Sequence, residues 1–356
     1  MPKLSDFELR TMPGLWRWAE NAPRRMAFRA GDRAEAETWQ AALREEIVRL
    51  LGGFPVERCD LDPHTIERVE GPDLTRETLV IQTQPGEYMP VHVLIPRGGS
   101  APWRRVIAVH GHGTGGARLL TGEPVDPVEA GLIDDLNYDY ARQMARRGFV
   151  VFVPVLRALG DRMEDSPLRD AVEPAWQSSC HVAGMSALLC GKTLIGLRAW
   201  DMLRLVDYME TRPEPAAPGL ACAGLSGGGT VTLFATALEP RITCAVISGY
   251  LNTFRDSIMA VRHCACNYIP GILNVADMAD IAGLIAPRPV FVESGERDPI
   301  FPSEATRRAL DDLRRVYRVF GAEDRVASHF FPGAHEWGGA PAIDWLEGQF
   351  APPPGR

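Results

Sequence analysis

Apolar residues near the start of the chain fall at helical spacing. Over 35–51 (EAETWQAALREEIVRLL), Trp39, Leu43, Ile47, Val48 and Leu51 share one face, and Gly52-Gly53 ends the run. From about residue 75 the period shortens. Runs at 78–83, 91–95, 105–110, 149–153, 220–224, 243–248, 289–293 and 327–331 predict strands. Several are apolar throughout, the pattern of parallel strands covered on both faces. Helical patterns lie between or after them at 132–147, 194–210, 227–238, 306–320 and 343–350. Strands alternating with helices imply a mostly parallel central sheet flanked by helices. Two stretches, about 157–192 and 251–286, break the alternation and read as insertions over the active site, where loops make sites. The chain thus divides into an N-terminal helical accessory segment over 1–72, an α/β domain over 73–350 and a tail over 351–356.

Composition narrows the function classes. Of 356 residues, 46% are hydrophobic and 24% charged, which excludes a disordered chain. The net charge is −8 and no Lys/Arg-rich run exists, which argues against nucleic acid and anionic membrane as partners. The N-terminus is charged from its third residue, and no apolar run approaches the ~18 residues needed to cross a bilayer. Seven cysteines without paired spacing point to a reducing, cytoplasmic setting.

The sharpest local signal is Gly224-Leu225-Ser226-Gly227-Gly228, set between an apolar run and a helix-competent run. This is the G-x-S-x-G nucleophile elbow in its strand–turn–helix context. A serine hydroxyl is a weak nucleophile and needs a base. His335, on a loop after the last strand, can accept its proton near neutral pH and return it to the leaving group. Asp298, just beyond the strand at 289–293, would orient His335 and stabilise its charged form. The order Ser226, Asp298, His335 is the order this chemistry requires in such a fold; Glu293 and Glu296 are weaker candidates for the acid. An oxyanion hole needs two backbone N–H groups. Gly227 would supply one, and His112 or Gly113, after the strand at 105–110, the other.

The same loop, Gly111-His112-Gly113-Thr114-Gly115-Gly116, formally matches the dinucleotide fingerprint G-x-G-x-x-G. Residues 117–127 carry two prolines and read as loop, so the helix that the fingerprint requires is missing. His263-Cys264-Ala265-Cys266 is a local cluster, but C-x-C without a second ligand pair is not a standard zinc spacing. Its thiols are expected to pack as small hydrophobes. Neither a metal nor a cofactor is expected, and His64, His92 and His329 are read as structural.

These residues together resemble the α/β-hydrolase superfamily, in its dienelactone-hydrolase-like and acetyl-xylan-esterase-like branch. The resemblance spans roughly 75–350 and rests on HGHGTG at 110–115, GLSGGG at 224–229, ERDPIFP at 296–302 and PGAHEW at 332–337. It implies an α/β-hydrolase fold with Ser226 as nucleophile, His335 as base and Asp298 as acid, the N-terminal segment closing over the site. Dienelactone hydrolases use a cysteine nucleophile; serine here favours ordinary carboxylic esters. The expected activity is cleavage of a small-molecule ester through an acyl-enzyme. Competing readings are an amidase or peptidase with the same triad, and a non-catalytic ligand-binding hydrolase fold. Trp337, Tyr250 and Tyr268, with Trp176, are candidate substrate-lining aromatics. The N-terminal helices are a candidate surface for homo-oligomer formation.

Overall fold

In the computed structural model, residues 3, 7–98, 101–113, 115–170 and 176–350 are described. The expected tail, Thr114 of the 110–115 motif and residues 171–175 of the first insertion lie outside them.

Among the described residues, nine strands form one sheet: β1 (His64–Glu70), β2 (Leu74–Gln84), β3 (Glu87–Pro96), β4 (Arg104–Val109), β5 (Phe149–Pro154), β6 (Ala221–Leu225), β7 (Cys244–Ser248), β8 (Val290–Gly295) and β9 (Val326–Phe331). Their spatial order is β1-β2-β3-β5-β4-β6-β7-β8-β9. The pairs β1–β2, β2–β3 and β3–β5 are antiparallel, and every pair from β5–β4 to β8–β9 is parallel. Helices among the described residues are α1 (Met12–Glu20), α2 (Arg33–Leu50), α3 (Gly116–Leu120), α4 (Pro127–Leu136), α5 (Tyr140–Arg146), α6 (Cys180–Leu189), α7 (Leu194–Thr211), α8 (Gly227–Leu238), α9 (Met278–Gly283), α10 (Ser303–Val319) and α11 (Ala340–Gln349).

Side-chain alternation on the strands divides the core into two layers. On β4, Ile107 and Val109 join the layer with α2, α7 and α8, while Val106 and Ala108 join the layer with α5 and α11. β5 does the same, with Val150 and Phe152 on one side and Phe149, Val151 and Val153 on the other. Strands buried on both faces must be apolar at every position, which is why these read as unbroken runs.

Three expectations are corrected. The segment 1–72 is not wholly helical, because β1 extends the sheet edge. All seven residues of β1 are exposed, so no buried face marks it in the sequence, and pairing with β2 imposes its extended backbone. The stretch 132–147 is two helices: α4 ends at Asn137, which is left-handed at φ 51°, a conformation asparagine tolerates. The stretch 117–127, read as loop, contains the short α3.

The N-terminal segment is tied to the second insertion. Trp16 Nε1 donates to the Met259 carbonyl at 2.9 Å, and Arg24 pairs with Asp280 at 2.8 Å. Gln40 on α2 donates to the Gly283 and Ala286 carbonyls. The first insertion is anchored on α7 by buried Asp201, which binds Arg157 at 2.9 Å and Arg162 at 2.7 Å. Burial alone would raise the Asp201 carboxyl, but the two guanidiniums outweigh it and hold it below its ordinary value.

Candidate active site

Ser226 occupies the turn from β6 into α8 with φ 60° and ψ −120°. That backbone is strained for a residue with a Cβ, and such strain is held only where the surrounding packing fixes it. Here the Ser226 N–H donates to the Ser248 carbonyl of β7 at 3.0 Å. Gly228 lets the first turn of α8 meet β4: a Cβ there would lie 1.9 Å from the Val109 oxygen. Asn267 of the second insertion accepts a hydrogen bond from Thr230 Oγ1 at 3.2 Å, which ties that insertion to α8.

Asp298 and His335, the expected acid and base, meet beyond the ends of β8 and β9. His335 Nδ1 lies 2.7 Å from Asp298 Oδ2. The other carboxylate oxygen accepts the Ile300 and Phe301 N–H groups, both at 2.9 Å. The Phe301 ring stacks on the imidazole with centroids 5.6 Å apart. His335 Nε2 is buried and, among the described residues, has no hydrogen-bond partner. The imidazole also sits over the backbone beside β7: a Cβ on Gly249, the neighbour of Ser248, would lie 3.3 Å from its Cε1. The weaker acid candidates are used elsewhere. Glu293 lies 3.5 Å from His329, and Glu296 accepts from Ser303 and pairs with Arg307.

The 110–113 loop is fixed from behind. His110 is buried and neutral in this setting: burial pushes its pKa down to about 3, although Nδ1 donates to the Gly111 carbonyl. Its Nε2 accepts the Leu156 N–H at 3.0 Å. The Gly111 N–H donates to the Tyr138 hydroxyl at 2.6 Å, and Tyr140 donates to the Val109 carbonyl at 2.5 Å. Both tyrosines come from the break between α4 and α5, a role the sequence did not signal. Gly113 has φ 127°. Among the described residues, the N–H groups of His112, Gly113 and Gly227 make no backbone hydrogen bond.

No family model matches the chain. It is 25% identical over 294 residues to "Putative hydrolase YtaP" of Bacillus subtilis, covering 80% of this chain and 90% of that protein. Its structure resembles a "putative acetyl xylan esterase" of Bacteroides fragilis with TM-score 0.73, covering 93% of this chain and 84% of that one at 19% identity. The chain has the α/β-hydrolase fold. A glucuronoyl esterase from Solibacter usitatus shares it, with TM-score 0.67 over 92% of this chain and 97% of that one at 16% identity.

On this hydrolase fold the expected substrate-lining aromatics separate. Trp337 is packed inside the core, 2% exposed, its ring stacked on Tyr140 at 4.4 Å. A lining role is thereby corrected to a packing one. Tyr250 is also buried, 5.4 Å from the Phe301 ring, its hydroxyl without a partner. Tyr268 is half-exposed and lines an apolar pocket of about 330 Å³ with Leu15, Phe254, Ile258 and Leu273. That pocket does not include Ser226 or His335. Trp176 lies exposed on the first insertion.

The expected local cluster at 263–266 is rearranged. His263 turns away, its Nε2 3.1 Å from Ser257 Oγ. In its place His112 and Cys180 join Cys264 and Cys266, all four donor atoms lying within 4.8 Å of one another. Burial would lower the His112 pKa, but the facing thiols outweigh it and push it up to about 10. Hydrogen bonds from Cys264 and Cys266, with Arg198 nearby, drive the Cys180 thiol far below its ordinary value.

Proposed function

We propose that this protein is a serine carboxylic-ester hydrolase working through an acyl-enzyme. The observation that carries the proposal is the His335–Asp298 pair, 2.7 Å apart, with the imidazole packed against Gly249, next to the Ser248 whose carbonyl receives the N–H of the strained Ser226 turn. Similarity to a hydrolase and to esterase structures supports ester hydrolysis in general.

In the proposed reaction His335 Nε2 takes the Ser226 proton as Oγ attacks the ester carbonyl. Asp298 holds the Nδ1–H and compensates the imidazolium. The tetrahedral oxyanion receives the Gly227 N–H and that of His112 or Gly113. His335 then passes its proton to the departing alcohol, and water repeats the sequence to release the acid. The structural relatives are named for esters borne on carbohydrates, so acetylated and uronate-ester sugars are the first substrates to assay.

Matched ester and anilide substrates test this reading. Ester turnover at least a hundredfold above anilide turnover, lost in Ser226→Ala, supports it. Equal rates would favour an amidase, and turnover that survives Ser226→Ala would contradict the mechanism.

A further inference from the structure

Three thiols and an imidazole meet where both insertions reach the 110–113 loop. Cys180 opens α6 in the first insertion, Cys264 and Cys266 belong to the second, and His112 belongs to the loop after β4. Cys266 Sγ lies 3.4 Å from His112 Nε2. In a tetrahedral zinc site with Zn–S near 2.3 Å and Zn–N near 2.0–2.1 Å, that edge is about 3.6 Å.

Charge points the same way. Arg198 on α7 is 1% exposed, yet its hydrogen bonds go to the Arg157 carbonyl and to Cys180 Sγ at 3.1 Å, and among the described residues none goes to a carboxylate. A buried guanidinium without an anion is costly. Three thiolates and one divalent cation carry a net charge of −1, the counter-charge Arg198 lacks. Asn267 Nδ2 approaches Cys266 Sγ at 3.9 Å, so a second N–H donor faces the sulfurs, as is usual around metal thiolates. Neutral thiols would leave Arg198 facing no anion among the described residues.

We propose that Cys180, Cys264, Cys266 and His112 Nε2 form a tetrahedral site for a divalent zinc-class metal ion. Four protein ligands close the coordination sphere, so the ion is structural and binds no substrate. It ties the two insertions to the 110–113 loop. A Cβ on Gly227 would lie 2.8 Å from His112 Cε1, so the ion also fixes the ring packed against the start of α8. This last link rests on the ester-hydrolase reading; the metal site does not.

The test reads metal rather than activity. The full chain is purified under reducing conditions from zinc-supplemented medium, its metal is counted, and the ion is exchanged for cobalt(II). About one zinc per chain is expected, with intense sulfur-to-cobalt charge transfer and the visible bands of tetrahedral cobalt. The double variant Cys180→Ser, Cys264→Ser should hold at least tenfold less metal, whereas Cys190→Ser, at an exposed thiol, should match the wild type. If the double variant fails to fold, the wild-type cobalt spectrum decides alone. A metal-free wild type, a disulfide among these cysteines in place of metal, cobalt bands lacking sulfur ligation, or unchanged content in the double variant would overturn the proposal.

Discussion

Asp298 holds His335 by one carboxylate oxygen, Oδ2, at 2.7 Å from Nδ1, while its other oxygen is locked by two backbone N–H groups. The carboxylate therefore cannot turn, and the imidazole is held with Nε2 free. Glu293, buried on β8, faces His329 on β9 instead.

This division of labour predicts unequal effects for two conservative changes. Asp298→Asn should lower kcat by about 10³–10⁴-fold with little change in KM, by analogy with the serine-protease triad. Glu293→Gln should change kcat less than about tenfold. Steady-state kinetics on both variants, with circular dichroism as a folding control, checks the contrast. Equal losses would remove Asp298 from its assigned role.

Trp337 follows His335 by two residues, but its ring belongs to the core. Trp337→Ala should cost about 3–5 kcal/mol of stability. The ratio of kcat/KM between two esters of different size should stay within about twofold. Chemical denaturation and a two-substrate comparison measure both; a changed ratio at unchanged stability would return Trp337 to the substrate pocket.

Gly228 should not accept even one carbon. With the Val109 oxygen 1.9 Å from the site of a Cβ, Gly228→Ala forces α8 away from β4. Loss of soluble protein, or a fall in melting temperature of at least about 10 °C, is the expected outcome. An alanine variant as stable as the wild type would mean that the helix and strand do not pack this closely.

Half-buried His92 on β3 links stability to pH. Burial lowers its pKa to about 4, below the ordinary 6.5. Between those values the unfolded chain binds a proton that the folded chain does not, so stability rises with pH. His92 therefore stabilises fully above about pH 6.5 and loses that contribution as pH falls towards 4, by up to about 1.4 kcal/mol per unit. Urea midpoints from pH 7 to 4.5 should fall less steeply for His92→Gln than for wild type; parallel slopes would contradict this.

What the sequence revealed depended on how local each signal was. The elbow was legible because its glycines and serine lie within five consecutive positions, and their spacing follows from one tight turn. The meeting of Asp298 with His335 was anticipated because each follows a strand run in the expected order, although β9, with Ser328 and His329 and one buried residue, is a weaker strand signal than β8. β1 was not, since none of its residues is buried. Trp337 misled because adjacency to His335 says nothing about which way a side chain packs. The cluster of His112, Cys180, Cys264 and Cys266 was invisible because His112, Cys180 and the 264–266 pair lie far apart in the chain and meet only through the fold. The local C-x-C pair was noticed, but with the wrong histidine. The clamps from Tyr138 and Tyr140 were hidden likewise by an unforeseen helix break.

The most direct test of an armed Ser226 is intact mass after treatment with a fluorophosphonate, on wild type and on Ser226→Ala. One adduct on the wild type and none on the variant is the predicted result. No adduct on either, or equal labelling of both, would contradict the assignment of Ser226 as the nucleophile.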